Sequence, residues 1–231
     1  MRDLRYLFVH QGWADYAIEW HQQLVDRHRS RGFDVASFCA TPNAPAPRYT
    51  FQQLNDLWNR RDPNVVRLRN ELVDVAADFD VLINFNGANI HPEWLQDFPT
   101  FNVYICWDDP ESSEYLSKPV AKYFDFAFTG NAACVPLYNS WGIKRCEFLP
   151  HACYEGEYNN NITVDDILIE DRDIDIVFLG ERQSAWRRQR LDQIKNAFPD
   201  AFMRGRGWPE GFLPADQKLA AYTRSKIGWN I

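Results

Sequence analysis

The sequence predicts an α/β protein: a Rossmann-like, doubly wound parallel sheet, followed by the start of a second unit of the same kind. Three observations predict it. Short apolar runs rich in β-branched and aromatic residues alternate with helix-like segments along the whole chain. Several of those runs break abruptly into Gly, Asn, Asp or His, as strands do when their carboxyl ends open on a crevice. The alternation is interrupted once, by the acidic and Asn-rich stretch that follows His151.

Tyr6 to Val9 reads as the first strand, followed by the turn His10, Gln11, Gly12 and a helix from Asp15 to about Ser30. Gly12 stands without the further glycines of a GxGxxG fingerprint, so no dinucleotide signature follows from it. On this helix His21 and His28 are seven apart and are expected to face solvent. Phe33 to Ala40 is the second strand, and the Pro-rich Thr41 to Arg48 an irregular loop. Phe51 to Asp78 is helical, with a break at Pro63, and Val81 to Phe85 is a strand that ends in Asn86 and Gly87.

A short helix around His91 to Asp97 leads to Asn102 to Pro110, NVYICWDDP, the most informative stretch. Val103, Tyr104 and Ile105 make a buried strand that breaks into Trp107, Asp108, Asp109 and Pro110. Paired carboxylates at a strand's carboxyl end suit acid–base chemistry. Asp109 precedes a proline and a helix-like segment from Glu111 to Tyr123, so it reads as the helix cap and Asp108 as the crevice residue. Phe124 to Thr129 and Arg145 to Pro150 are strands, and Ala132 to Ser140 is a helix. Residues 1–152 therefore form a first domain, 153–173 a linker or excursion, and 174–231 the first part of a second domain. In that part Ile174 to Leu179 and Ala201 to Met203 are strands, Ser184 to Phe198 is a basic helix, and Ala215 to Ser225 is a helix leading into a strand from Ile227 to Ile231. Too few elements follow Ile174 to close a second sheet, which leads us to expect an incomplete C-terminal domain.

Composition narrows the partners. A formal net charge of −7 opposes general nucleic-acid binding, which needs a basic face. No run of about 18 apolar residues is present for a membrane span, and the N-terminus lacks a signal-peptide pattern. Five cysteines without a CxxC pair fit reduced thiols and a cytoplasmic chain. No His, Cys and Asp set has metal-ligand spacing. Nine Trp, many beside Gly, Pro or Asp, fit stacking on sugars or bases as well as core packing.

Several strings taken in order resemble the CgeB-like, or spore-maturation-protein-like, glycosyltransferases of GT-B architecture. They are WDDP at Trp107 to Pro110, YFDFAFTGN at Tyr123 to Asn131, FLPHACY at Phe148 to Tyr154, FLGER at Phe178 to Arg182, RGRGW at Arg204 to Trp208, and the terminal SKIGWNI. The resemblance implies an acceptor-side N-terminal domain and a C-terminal domain that holds a nucleotide-diphosphate sugar, the donor substrate, with no tightly bound cofactor. It implies transfer to a carbohydrate, protein or small-molecule acceptor in the cleft between them. Asp108, Asp109 and His10 are then the candidates for the catalytic base, and Gln11, Gly12, Asn86 and Trp107 line the acceptor side. Gly180, Arg182, Gly205, Trp208 and His151 are the candidates for the donor and its phosphates. A tight turn at Gly180, a structural loop at Gly205 and a solvated basic helix at Arg187, Arg188 and Arg190 are the plainer alternatives. Without the later half of the donor domain, weak or absent transfer is expected. A non-catalytic carbohydrate- or protein-binding module, and an unrelated nucleotide-binding protein, are the competing functions.

Overall fold

The computed structural model describes residues 3–46, 48–87, 89–150, 172–182 and 185–229. The chain divides into two compact units, Met1–His151 and Ala152–Ile231. The first carries six strands: β1 (Arg5–His10), β2 (Asp34–Cys39), β3 (Val81–Phe85), β4 (Phe101–Cys106), β5 (Phe126–Thr129) and β6 (Cys146–Phe148). They form one sheet in the order β2-β1-β3-β4-β5-β6, and every pairing is parallel. The chain moves outward from β1 to β2 and then returns to the other side of β1 with β3. The order therefore reverses between β1 and β3, and a parallel sheet opens its ligand crevice at the carboxyl ends flanking such a reversal.

Helices cover both faces, as a fully parallel sheet requires. Helix α1 (Asp15–Ser30) packs on one face, where Phe8, Val25, Val35, Phe85, Val103 and Ile105 form a core. The opposite face buries Leu7, Val9, Leu82, Tyr104 and Cys106 against Leu54 of α2 (Phe51–Asn59) and Leu68 and Leu72 of α3 (Pro63–Ala76). Leu7, Phe8 and Val9 thus face alternate sides, the period of two of a strand. The expected break at Pro63 has a clear local cause. Thr50 and Gln53 form a capping box at the start of α2, and Asp62 caps α3 by accepting from the Asn64 and Val65 amides, with Pro63 in the first turn.

Two expectations need correction. Glu111 to Tyr123 is not a helix but a series of turns that ends in a 3-10 turn, Ala121–Tyr123. The Ser112 hydroxyl donates to the Asp108 carbonyl at 3.1 Å and the Ser113 hydroxyl to the Pro110 carbonyl at 2.8 Å. Serines that bond the local backbone in this way compete with the helical ladder. The short helix expected around His91 to Asp97 is present, as the 3-10 helix Pro92–Asp97. His21 does not face solvent: Ala17, His21 and Val25, four apart, form the buried stripe of α1, and His28 is half-buried against Phe8.

The second unit has a three-stranded parallel sheet, β8-β7-β9, made of β7 (Ile174–Leu179), β8 (Phe202–Arg204) and β9 (Ser225–Gly228). Helix α5 (Ala185–Ala197) joins β7 to β8, and α6 (Ala215–Thr223) precedes β9; α4 (Val135–Ser140) belongs to the first unit. Strand β9 begins at Ser225, two residues before the position expected, because Ser225 pairs with Ile174 and the Ile174 amide donates to the Arg224 carbonyl. Its core gathers Ile176, Phe178, Leu191, Ala201 and Met203.

Candidate functional site

The crevice at the β1/β3 reversal is built by the residues that follow those strands and β4. Gly12 leaves β1 with its amide donating to Thr41 Oγ1 at 2.9 Å, and a Cβ there would lie 2.6 Å from Cys39 Sγ. Gly87, after β3, leaves similar room for Gln11, whose Nε2 would be 3.0 Å from a Cβ. Gln11 is 5% exposed, and its Oε1 is buried without a hydrogen-bond partner among the described residues.

Asn86 organises the mouth. It sits at φ 49°, a left-handed conformation that Asn tolerates better than most residues. Its side chain spans two elements: Nδ2 donates to Asp108 Oδ2 at 2.7 Å, and Oδ1 accepts from the Trp107 amide and the Cys106 thiol, each at 3.1 Å. Arg48 approaches the same Asp108 oxygen at 3.4 Å and lies over the Trp13 ring at 4.7 Å. Asp108 is half-exposed, and the contacts given to its carboxylate by described residues fall on Oδ2. The structure thus brings together Gln11, Gly12, Asn86, Trp107 and Asp108. Sequence patterns alone do not single out Arg48 or Trp13. Arg48 ends a Pro-rich loop 60 residues from Asp108, and no local pattern announces that contact.

His10 ends β1 beneath this mouth, but it faces inward. Its ring stacks on His21 with centroids 3.9 Å apart and planes 8° from parallel, and both residues are buried. Burial lowers the pKa of each. His21, which also feels the charges of His10 and Arg48, is pushed down to about 4. His21 Nδ1 lies 2.6 Å from the Ala17 carbonyl, so it carries the proton, and His10 Nδ1 lies 3.4 Å from the Gln11 carbonyl.

Asp109 does not cap a helix. It is 3% exposed, and Tyr138 from α4 donates its phenol to Oδ2 at 2.6 Å, while Oδ1 is buried without a partner among the described residues. Beside it, burial raises the pKa of Tyr138, and burial together with the nearby carboxyl pushes the Cys106 thiol up to about 12. Cys106, Cys134 and Cys146 are buried free thiols. Asp109 is therefore a packing residue, its side chain held by one hydrogen bond among the described residues. Tyr138→Phe is expected to cost about 2 kcal/mol, since a bond to a carboxylate is lost and a second buried oxygen is orphaned. Asp109→Asn keeps an oxygen for Tyr138 and removes a buried acid, so it is expected to cost under about 1 kcal/mol. Denaturant midpoints of the two variants check the ranking; equal losses would contradict it.

In the second unit the donor-side candidates are held by one another. The Gly180 amide donates to the Arg204 carbonyl at 2.9 Å, and the Arg182 amide to the Arg206 carbonyl at 2.8 Å, so neither points at a ligand. Gly205 sits at φ 135° against the Gly180 carbonyl, where a Cβ would come within 2.2 Å. Trp208 Nε1 donates to that same carbonyl at 3.2 Å, and the Arg182 guanidinium lies over the Trp208 ring at 5.2 Å while pairing with Asp192. Gly205 and Trp208 therefore explain the RGRGW string as a structural clasp on β7. His151 and Cys153 lie outside the described residues.

Fold and site define a protein with a doubly wound parallel sheet in its first unit, a small parallel sheet in its second, and a carboxylate-bearing crevice at the strand reversal. A scan against protein-family models finds no match to this chain, and no curated protein matches it. Among the described residues, no helix is long and apolar enough to cross a membrane, and no group of three or more His, Cys, Asp or Glu is placed to hold a metal ion.

Proposed function

We propose that the chain is a glycosyltransferase of GT-B type that draws on a nucleotide-diphosphate sugar, with the first unit taking the acceptor and the second the donor. The reading rests on the resemblance to CgeB-like glycosyltransferases. One observation supports it above the others: Asp108 stands half-exposed at the carboxyl end of β4, with Oδ2 fixed by Asn86 and Arg48. A carboxylate held in one orientation is what removal of a proton from an acceptor hydroxyl needs. Inverting transfer would use it directly as the base. His10 is a weaker candidate, since its ring is buried against His21.

A non-catalytic carbohydrate- or protein-binding module is the second reading, and the second unit favours it. There the groups expected to meet a diphosphate are already engaged by Arg204, Arg206 and Asp192. Calorimetric titration with nucleoside diphosphates, together with a sugar-nucleotide hydrolysis assay, separates the two. Nucleotide binding with at least slow hydrolysis is the expected result for a transferase. Absence of both sinks that reading and leaves the binding module.

A further inference from the structure

A polar groove of about 660 Å³ lies on the first unit between the end of α2, the first half of α3 and the 3-10 helix Pro92–Asp97. None of its lining residues belongs to the Asp108 crevice. Its volume is within the roughly 300–1,000 Å³ of small-molecule sites. We propose that this groove binds a neutral, hydroxyl-rich ligand, a sugar or short oligosaccharide.

Charge comes first. Arg61 and Arg69 are balanced by Glu93 and Asp97, so the lining favours neither a phosphate nor a cation. Hydrogen-bonding capacity comes second. Asn70 and Gln96 each offer both a donor and an acceptor, the arginines donate, and the carboxylates accept. A hydroxyl both donates and accepts, so a polyol can satisfy such a mixed lining where an ion of either sign cannot. The third point is preorganisation. Trp58 Nε1 donates to Glu93 at 2.7 Å, Arg69 Nη1 donates to Asn70 at 2.9 Å, and Arg69 also pairs with Asp97, so these side chains are already oriented.

Arg61 is the residue that backbone preference does not explain. The Arg61 amide donates to the Trp58 carbonyl and the Asp62 amide to the Leu57 carbonyl, each at 3.0 Å, closing α2 in the Schellman pattern. The left-handed position of that pattern, usually Gly, is here Arg61 at φ 57°. A non-glycine residue there carries a backbone cost, because its Cβ crowds the following carbonyl. What the chain gains is a guanidinium set over the Trp58 ring at 4.8 Å, with no carboxylate within ion-pair distance among the described residues. Its N–H groups are thus left to the groove. The indole face is covered, so recognition proceeds through hydrogen bonds rather than through stacking.

This inference does not depend on the transferase reading, because it is tested by binding rather than by turnover. The probes are maltotetraose, cellotetraose and chitotetraose, titrated calorimetrically into the full chain. At least one is expected to bind with Kd at or below about 1 mM. Arg61→Gly is expected to keep or raise the thermal midpoint, since it relieves the backbone, and to weaken binding about tenfold or more. The double variant Asn70→Ala with Gln96→Ala, both exposed positions, gives the same loss by a second route. No binding by any of the three probes, binding unchanged in both variants, or displacement by inorganic phosphate would overturn the proposal.

Discussion

On the proposed transferase reading, replacing Asp108 with Asn is expected to lower glycosyl transfer about 100-fold or more, the usual contribution of a positioned general base, while leaving the fold intact. Asn keeps the shape of the side chain and an oxygen for the Asn86 amide, but it cannot take a proton. The ion pair it gives up, Arg48 at 3.4 Å, is half-exposed, and such pairs contribute about 0–1 kcal/mol. Stability should therefore stay nearly unchanged while the rate collapses. The measurement is transfer from a sugar nucleotide, paired with a denaturant midpoint. A rate loss matched by a large loss of stability would assign Asp108 a packing role instead. Asn86→Ala is expected to act in the same direction but more weakly, because Arg48 still approaches the carboxylate.

Acidification is expected to destabilise the first unit between about pH 6.5 and pH 4, and the stacked histidines supply a large part of that loss. His21 titrates near its ordinary 6.5 in the unfolded chain and is held down to about 4 in the folded one. Below pH 6.5 the unfolded chain therefore binds the proton and the folded chain does not, so stability falls as pH drops through this window. The stabilisation is fully present above pH 6.5. The drop attributable to His21 is at most about 3 kcal/mol, and His10, also lowered by burial, adds to it in the same direction. The main cause is burial, in a place beside Phe85 and Trp20 that strips water from a charged ring, and the positive potential of His10, stacked 3.9 Å away, and of Arg48 adds to it. His21→Phe preserves an aromatic partner for His10 and removes one titrating group. Its denaturation midpoints, measured from pH 7.5 to pH 4, should fall less steeply than those of the natural chain; parallel slopes would refute the assignment.

Both predictions concern residues whose setting is only partly legible in the sequence. Asp108 is legible as a crevice residue because an apolar strand that breaks into paired carboxylates must end at solvent or at a site. Its partners are not, since Asn86 and Arg48 lie 22 and 60 residues away. Asp109, expected as a cap, is buried instead, because Tyr138, 29 residues on, offers it a hydrogen bond and the helix it was to cap does not form. His21 misleads because histidine reads as polar, yet it occupies the buried stripe between Ala17 and Val25. In the RGRGW string the glycines do signal close approach, but what approaches Gly205 is the Gly180 carbonyl of the same unit.

What the sequence determined by itself is the class of fold and the positions at which strands end. Those follow from side-chain period and from local turn chemistry, which act within a few residues. The strand order, the reversal between β1 and β3, and the inward turn of His10, His21 and Asp109 were decided only in the tertiary structure. They depend on which distant surfaces bury one another and which buried polar atoms find partners. Those choices are made among segments tens of residues apart, where no short pattern in the chain carries the information.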